Sequence, residues 1–266
     1  MSSSLERGLA ILELLSTFPE GLFVSQVATA IGMPASGTHR ILNQLVGYGY
    51  VYQDVAKGAY ALRMKFPALA LSYLAQSGVT DIAQPILDRL ANTTKQLVRL
   101  SIADGKNLVF VDKAQGATSG LRYDPGADNH GIAHLASSAS GLAWLSTFTD
   151  DEALMKVAAE GFSQATSGPG AIASASQLMQ ALRETRERGY AITVDSLLPG
   201  ISAIAAPIRL TDKRTAGTIS VAGPTAVFTR SAMDAAAEPL KQAAEDLGHS
   251  LPASAYFLHS PAWSVE

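Results

Sequence analysis

Apolar positions in the first 65 residues fall into three helical stripes followed by two short alternating runs. Leu5, Leu9, Leu12 and Leu15, with Ile11, give one apolar helical face, and Pro19-Glu20-Gly21 ends that helix. Ser25 predicts the N-cap of a second helix through Ile31, which Gly32 stops. Pro34 stands near the start of a third helix whose Ile41, Leu42 and Leu45 face inward. Tyr50–Gln53 and Ala59–Leu62 flank Asp54–Gly58, the pattern of a β-hairpin with Gly58 near its turn. Three helices plus a hairpin predict a winged helix-turn-helix over residues 1–65.

A helical stretch from Phe66 to Gln76 follows, so residues 66–78 are assigned as a linker helix ending at Ser77-Gly78. Beyond it the pattern mixes periods. Helices are predicted over Ile82–Thr94, Ala136–Phe148, Asp151–Ala159, Ala175–Arg188 and Ser231–Leu247. Strands are predicted over Leu97–Ala103 and Asn107–Lys113, joined at Asp104-Gly105, and over Tyr190–Val194, Ile201–Arg209 and Ala216–Ala222. Without a regular βα repeat, this second domain, residues 79–250, reads as α+β. Residues 251–266, with Pro252, Pro261 and Trp263, are predicted to form a loosely held tail beginning near His249.

Composition narrows the class. Apolar residues at 47% against charged residues at 16% support a packed core and exclude wholesale disorder. With no cysteine, thiolate metal sites, iron–sulfur clusters and cysteine nucleophiles are excluded. The start Met1-Ser2-Ser3-Ser4-Leu5-Glu6-Arg7 is unlike a signal peptide, and no apolar run approaches membrane-spanning length, so a soluble cytoplasmic protein with no membrane partner is expected.

The net charge of −3 hides a local asymmetry. No carboxylate occurs from Gly21 through Gln53, a stretch rich in Ser, Thr, His, Asn and Gln. In a helix-turn-helix the second helix enters the major groove, its N-terminal residues meeting bases and phosphates. That end would present Ser36, Thr38, His39 and Arg40, with Asn43 and Gln44 one turn later and Ser25 on the preceding helix. Hydroxyls suit phosphate oxygens, and Arg can fork onto guanine. Lys57 near the hairpin tip can reach a phosphate or the minor groove. The plain alternative is a three-helix module with a solvated polar face.

These residues also carry a family resemblance. Leu9-Ala10-Ile11-Leu12, Val27-Ala28 through Ile31-Gly32-Met33-Pro34, Thr38-His39-Arg40-Ile41-Leu42, Gly49-Tyr50-Val51 and Tyr60-Ala61-Leu62 resemble the DNA-binding half of the IclR family of transcriptional regulators. Arg188-Gly189-Tyr190-Ala191, Pro199-Gly200-Ile201 and Ile204-Ala205-Ala206-Pro207-Ile208 resemble its effector-domain signature, and Ser220 with Gly223-Pro224 its following strand. The resemblance spans roughly residues 5 to 250. It implies a winged helix-turn-helix, a linker helix and a GAF-like effector domain, working as a homodimer or tetramer on a double-stranded DNA operator. It also implies a small-molecule effector, an organic or aromatic acid, held by Ala139, Ser140, Thr193, Ala203, Ser220 and Ala222. Alternation agrees, since Ser220 and Ala222 share a sheet face, and the start of the helix near Ser138–Gly141 could offer free amides to a carboxylate. The chain departs from the family around Ala136–Leu145, where a His and a Gly-Lys pair are usual and this chain reads Leu135-Ala136-Ser137-Ser138-Ala139-Ser140-Gly141-Leu142, and at Ala203, where Cys is frequent. Ala203 and Ala222 predict a roomy, weakly polar pocket.

Other signals predict no catalytic residue, no metal and no cofactor. His130 and His134 have zinc-like spacing, but Gly131 between them reads as a loop and no third ligand accompanies them. Ser137-Ser138-Ala139-Ser140 lacks a nucleophile elbow. Arg122 beside Tyr123 reads as a half-exposed strand arginine, with anion binding the alternative. Gly168-Pro169-Gly170 is a turn, not a phosphate loop. The sequence therefore predicts a non-enzyme, a ligand-responsive DNA-binding repressor or activator; the resemblance implies control of a catabolic operon, with repression the favoured sign. A small hydrolase using Ser137–Ser140 and a DNA-binding protein with no ligand are the alternatives.

Overall fold

The computed structural model describes residues 3–125, 131–162 and 164–259. The chain divides into two compact units, with the boundary between Tyr73 and Leu74.

In the first unit, α1 (Ser4–Ser16) starts in a capping box: Ser3 Oγ accepts the Glu6 N–H, and the Glu6 carboxylate accepts the Ser3 N–H. Its Ile11, Leu12 and Leu15 pack on Val27 of α2 (Val24–Ala30), on Ile41 and Leu42 of α3 (Ala35–Gly47), and on Val51 and Tyr60 of the wing. The wing pairs β1 (Val51–Gln53) antiparallel with β2 (Tyr60–Leu62), and Leu22 bridges to Tyr60 as a third edge. Gly21 makes this closure possible: its φ is +81°, and a Cβ there would lie 2.7 Å from the Tyr60 carbonyl oxygen. Ser25 is not the N-cap of α2. Phe23 holds that position, and its N–H donates to Gln26 Oε1 at 2.8 Å. Helix α4 (Lys65–Ser77) then leads out of the unit.

The second unit opens with α5 (Val79–Thr94) and a hairpin of β3 (Leu97–Asp104) and β4 (Asn107–Gln115). Three helices follow, α6 (Ala139–Leu145), α7 (Asp150–Glu160) and α8 (Ala175–Arg188). Then come β5 (Ala191–Val194), β6 (Ile201–Arg209) and β7 (Thr215–Pro224), and α9 (Arg230–Ser250). The strands form one antiparallel sheet in the order β4-β3-β7-β6-β5. Its two faces differ chemically because side chains alternate along each strand. Val98, Leu100, Ile102, Ile204, Ile208, Ile219 and Val221 pack with α5 and α9 in the larger core. The opposite face carries Arg99, Ser101, Ala203, Ala205, Ser220 and Ala222, against which α6 lies.

Two expectations are corrected here. The helix expected over Ala136–Phe148 is the shorter α6, since a turn occupies 135–137 and Ser138 is its N-cap. The chain after His249 is not loose up to His259: α9 runs on to Ser250, Leu251 is fully buried, and Ser254 starts α10 (Ala255–His259), whose Tyr256 and Phe257 pack on the core. Trp263 lies outside the described residues. Among the described residues no helix is long and apolar enough to cross a membrane.

Candidate functional site

The first candidate surface is the outer face of α3. Ser36, Arg40 and Asn43 project from one side and are exposed, with His39 beside them. The His39 ring meets Tyr60 edge-on at 6.5 Å between centroids, and Asn43 Nδ2 lies 3.4 Å from His39 Nδ1. Thr38 does not belong to this face. It is fully buried between Ile41 and Leu42 in phase, and its hydroxyl donates to the Pro34 carbonyl at 3.2 Å. Gln44 is exposed but lines an apolar groove between α1 and α4, with Leu5, Leu9 and Leu69. Ser25 is exposed at the second residue of α2.

Lys57 stands exposed on the β1–β2 turn. Asp54 shapes that turn, its Oδ1 accepting the N–H groups of Ala56 and Lys57 at 2.9 and 3.1 Å. Those bonds, Lys57 first and Ala56 second, hold the Asp54 carboxyl below its usual range. The carboxylate is therefore occupied by the turn it builds. Arg63, exposed at the end of β2 and 6.0 Å from the Tyr52 ring, is a further cation of the wing that the sequence reading passed over.

The second candidate is a cavity on the α6 face of the sheet. Thr193 of β5, Ala203 of β6, Ser220 and Ala222 of β7, and Ala139 and Ser140 of α6 all line it. Registry explains the convergence: Thr193 is opposite Ala203, Ala203 opposite Ala222, and Ser220 opposite Arg99. Gly141 seats α6 there, because any Cβ would lie 2.3 Å from the Leu135 carbonyl oxygen.

The cavity is not roomy. Its free volume is about 20 Å³, room for roughly one water. The space that Ala203 and Ala222 leave is filled by Tyr123, Leu198 and Ile201, which pack against them. Nor does α6 present a free amide at every position, since Ser138 Oγ accepts the Gly141 N–H at 2.9 Å.

The cavity also holds a cation that no motif in the sequence marks. Arg99 of β3 lines it, with Cζ 3.8 Å from the centroid of the Phe110 ring. Its Nε is buried and meets no hydrogen-bond acceptor. Burial pulls this guanidinium below its ordinary range, and the Tyr123 phenol partly opposes the shift. The signal was available in the alternation: Arg99 shares its face with Ser101 inside an otherwise apolar strand. Arg122, by contrast, lies outside any strand, exposed and paired with Asp124.

His134 and Ser137 do come together, but not as a catalytic pair. Nδ1 of His134 receives the Ser137 N–H at 3.2 Å and contacts its hydroxyl at 2.9 Å, while Glu160 Oε2 lies 3.9 Å from the same nitrogen. A triad needs the carboxylate on the other ring nitrogen. Ser137 is also fully buried. Among the described residues no cluster of potential metal ligands occurs, and His130 lies outside them.

The chain matches known proteins along nearly its whole length. A family model described as Bacterial transcriptional regulator IclR C-terminal matches residues 71–249, and one described as IclR helix-turn-helix domain matches residues 4–55. The HTH-type transcriptional regulator XynR of Escherichia coli (strain K12) is 27% identical over 248 residues, covering 93% of this chain and 96% of that protein. The HTH-type transcriptional repressor AllR of the same organism is 24% identical over 255 residues, covering 96% and 92%. The crystal structure of an IclR homologue complexed with 4-hydroxybenzoate, from Microbacterium hydrocarbonoxydans, superposes with a TM-score of 0.75 at 22% identity, covering 95% of this chain and all of that one (100%).

Proposed function

This chain belongs to the IclR family of bacterial transcriptional regulators, and from that premise we propose that it is a cytoplasmic repressor of a catabolic operon, released or tightened on its operator by a small organic or aromatic acid. Its relatives are named as transcriptional regulators and repressors, not enzymes. The observation that carries the ligand-responsive reading is the convergence of Ala139, Ser140, Thr193, Ala203, Ser220 and Ala222, from four elements, on one cavity. Small apolar walls with a few hydroxyls are the lining of a ligand site, and a ligand would enter this one by displacing the Tyr123 ring packed on Ala222. A repressor named among the relatives, and a structural neighbour holding 4-hydroxybenzoate, support the sign of regulation and the ligand class.

On the DNA side, Ser36, His39, Arg40 and Asn43 meet the major groove, with Lys57 on flanking phosphate. Ser25 lies within reach of the backbone from α2, and Gln44 sits at the edge of the reading face. So few cations bind weakly alone, which calls for two copies on one operator. The exposed Leu5 and Leu9 of α1 and Phe66 and Leu69 of α4 supply an apolar surface for pairing with a second copy.

A gel shift on DNA from upstream of the protein's own gene, with and without acids such as 4-hydroxybenzoate, tests the reading. A shift that the acid changes supports it; no binding to DNA refutes it. A shift indifferent to every metabolite would leave a ligand-independent DNA-binding protein.

A further inference from the structure

We propose that Arg99 anchors the carboxylate of the effector acid; this rests on the proposed function and on the cavity being the effector site. Arg99 projects from β3 onto the α6 face and lines the cavity beside Ser220 and Ala222. Arg99 is partly buried, and the Nε edge of its guanidinium is removed from water, which is costly unless an anion pairs with it. The ion pairs among the described residues use other arginines, including Arg186 with Asp150 and Arg188 with Glu184, and none uses Arg99. Phe110 compensates from one side, lying 3.8 Å from Cζ, but a ring face offers no acceptor to the N–H edge. Nε consequently stays buried without one. This is an electrostatically incomplete site, and a planar carboxylate matches the guanidinium fork better than any neutral group.

The strand order adds a second constraint. Arg99, Ser220, Ala203 and Thr193 stand on four consecutive strands. Three strand spacings make about 14 Å across the sheet, and Thr193 stands two residues along β5 from Ala191, the residue in line with Arg99. The arginine side chain covers part of that span, so a carboxylate on Arg99 leaves the ligand body against Ala222 and Ala203 and its far end near Thr193 and Ser140. A single ring with a carboxylate at one end and a hydroxyl at the other fits this order of groups. Entry displaces Tyr123, the ring now packed on Ala222.

The test uses the full-length protein, thermal unfolding and calorimetric titration, with benzoate, 4-hydroxybenzoate and phenylacetate set against their neutral amides. At least one acid should raise Tm where its amide does not. Arg99→Met should weaken binding of that acid roughly 10- to 100-fold, while the ligand-free variant melts no lower than wild type. A structural arginine would instead cost stability when removed, so a clear drop in the ligand-free Tm of Arg99→Met overturns the proposal. It is equally overturned if the amide binds as well as the acid, if Arg99→Met binds the acid unchanged, or if none of the acids binds. Ser220→Leu separates the two levels of the argument. If it abolishes binding while Arg99→Met does not, only the anchor is wrong; if neither variant changes binding, the cavity is not the effector site.

Discussion

Nδ1 of His134 accepts the backbone N–H of Ser137 at 3.2 Å, one residue before the N-cap of α6, so a histidine ring pins the approach to the helix that walls the cavity. Burial holds its pKa below the ordinary value of about 6.5, and the nearby Glu160 charge partly opposes this. A folded-state pKa below the unfolded one means the unfolded chain binds the proton first. The stabilisation is therefore complete above the unfolded pKa and is lost as pH falls from about 6.5 toward the folded value. His134→Asn retains an acceptor near Nδ1 and removes the titration. Urea unfolding between pH 7.5 and 5 should show wild type losing stability that the variant keeps; parallel pH profiles would contradict this.

Arg40 and Thr38 are two residues apart on α3 and should behave oppositely. Arg40 is exposed and is the helix's one basic side chain, so Arg40→Ala should cost about 1–3 kcal/mol of operator binding. Thr38 is buried on Pro34, so Thr38→Val should leave operator affinity unchanged. Fluorescence anisotropy on one labelled operator compares them. Equal losses would mean the face is misassigned.

Lys57 on the wing should contribute affinity without sequence preference. Lys57→Glu is expected to weaken binding to operator and to random DNA by comparable factors, and to flatten the salt dependence. A loss confined to the operator would show a base contact instead.

The apolar face of α1 and α4 should hold two copies together. Leu9 and Leu69 are 51% and 52% exposed, too much apolar surface for a solitary face to leave in water. Leu69→Glu should shift light scattering from a dimer or tetramer toward a smaller species and weaken operator binding in step. A wild-type protein that is monomeric at micromolar concentration would contradict the pairing.

Much of this fold was legible because period and punctuation agree. The 3.6-residue stripe of Leu178, Leu182 and Thr185 and the alternating run Ile201–Arg209 match α8 and β6 end to end. The failures share a cause: residue type outweighed phase. Thr38 has the chemistry of a phosphate contact but the helical phase of Ile41 and Leu42. Ser25 has the chemistry of a cap, whereas the N-cap is Phe23, whose N–H donates to Gln26 three residues on. Arg99 was passed over in an apolar strand although its alternation with Leu100 turns it to the cavity face. The expectation of a roomy pocket failed for a different reason. Tyr123 reaches the site from a segment outside the sheet, and nothing local in the sequence places it there.

The central claim is that the cavity controls DNA binding from the second unit. Ser220→Leu measures it most directly: a leucine opposite Arg99 takes more than the free space of about 20 Å³ and keeps the acid out, in a unit separate from α3 and the wing. In a gel shift on the protein's own upstream DNA, with an acid that alters the wild-type band, the variant should bind that DNA with wild-type affinity and ignore the acid. A Ser220→Leu protein that responds fully to the acid would contradict the account.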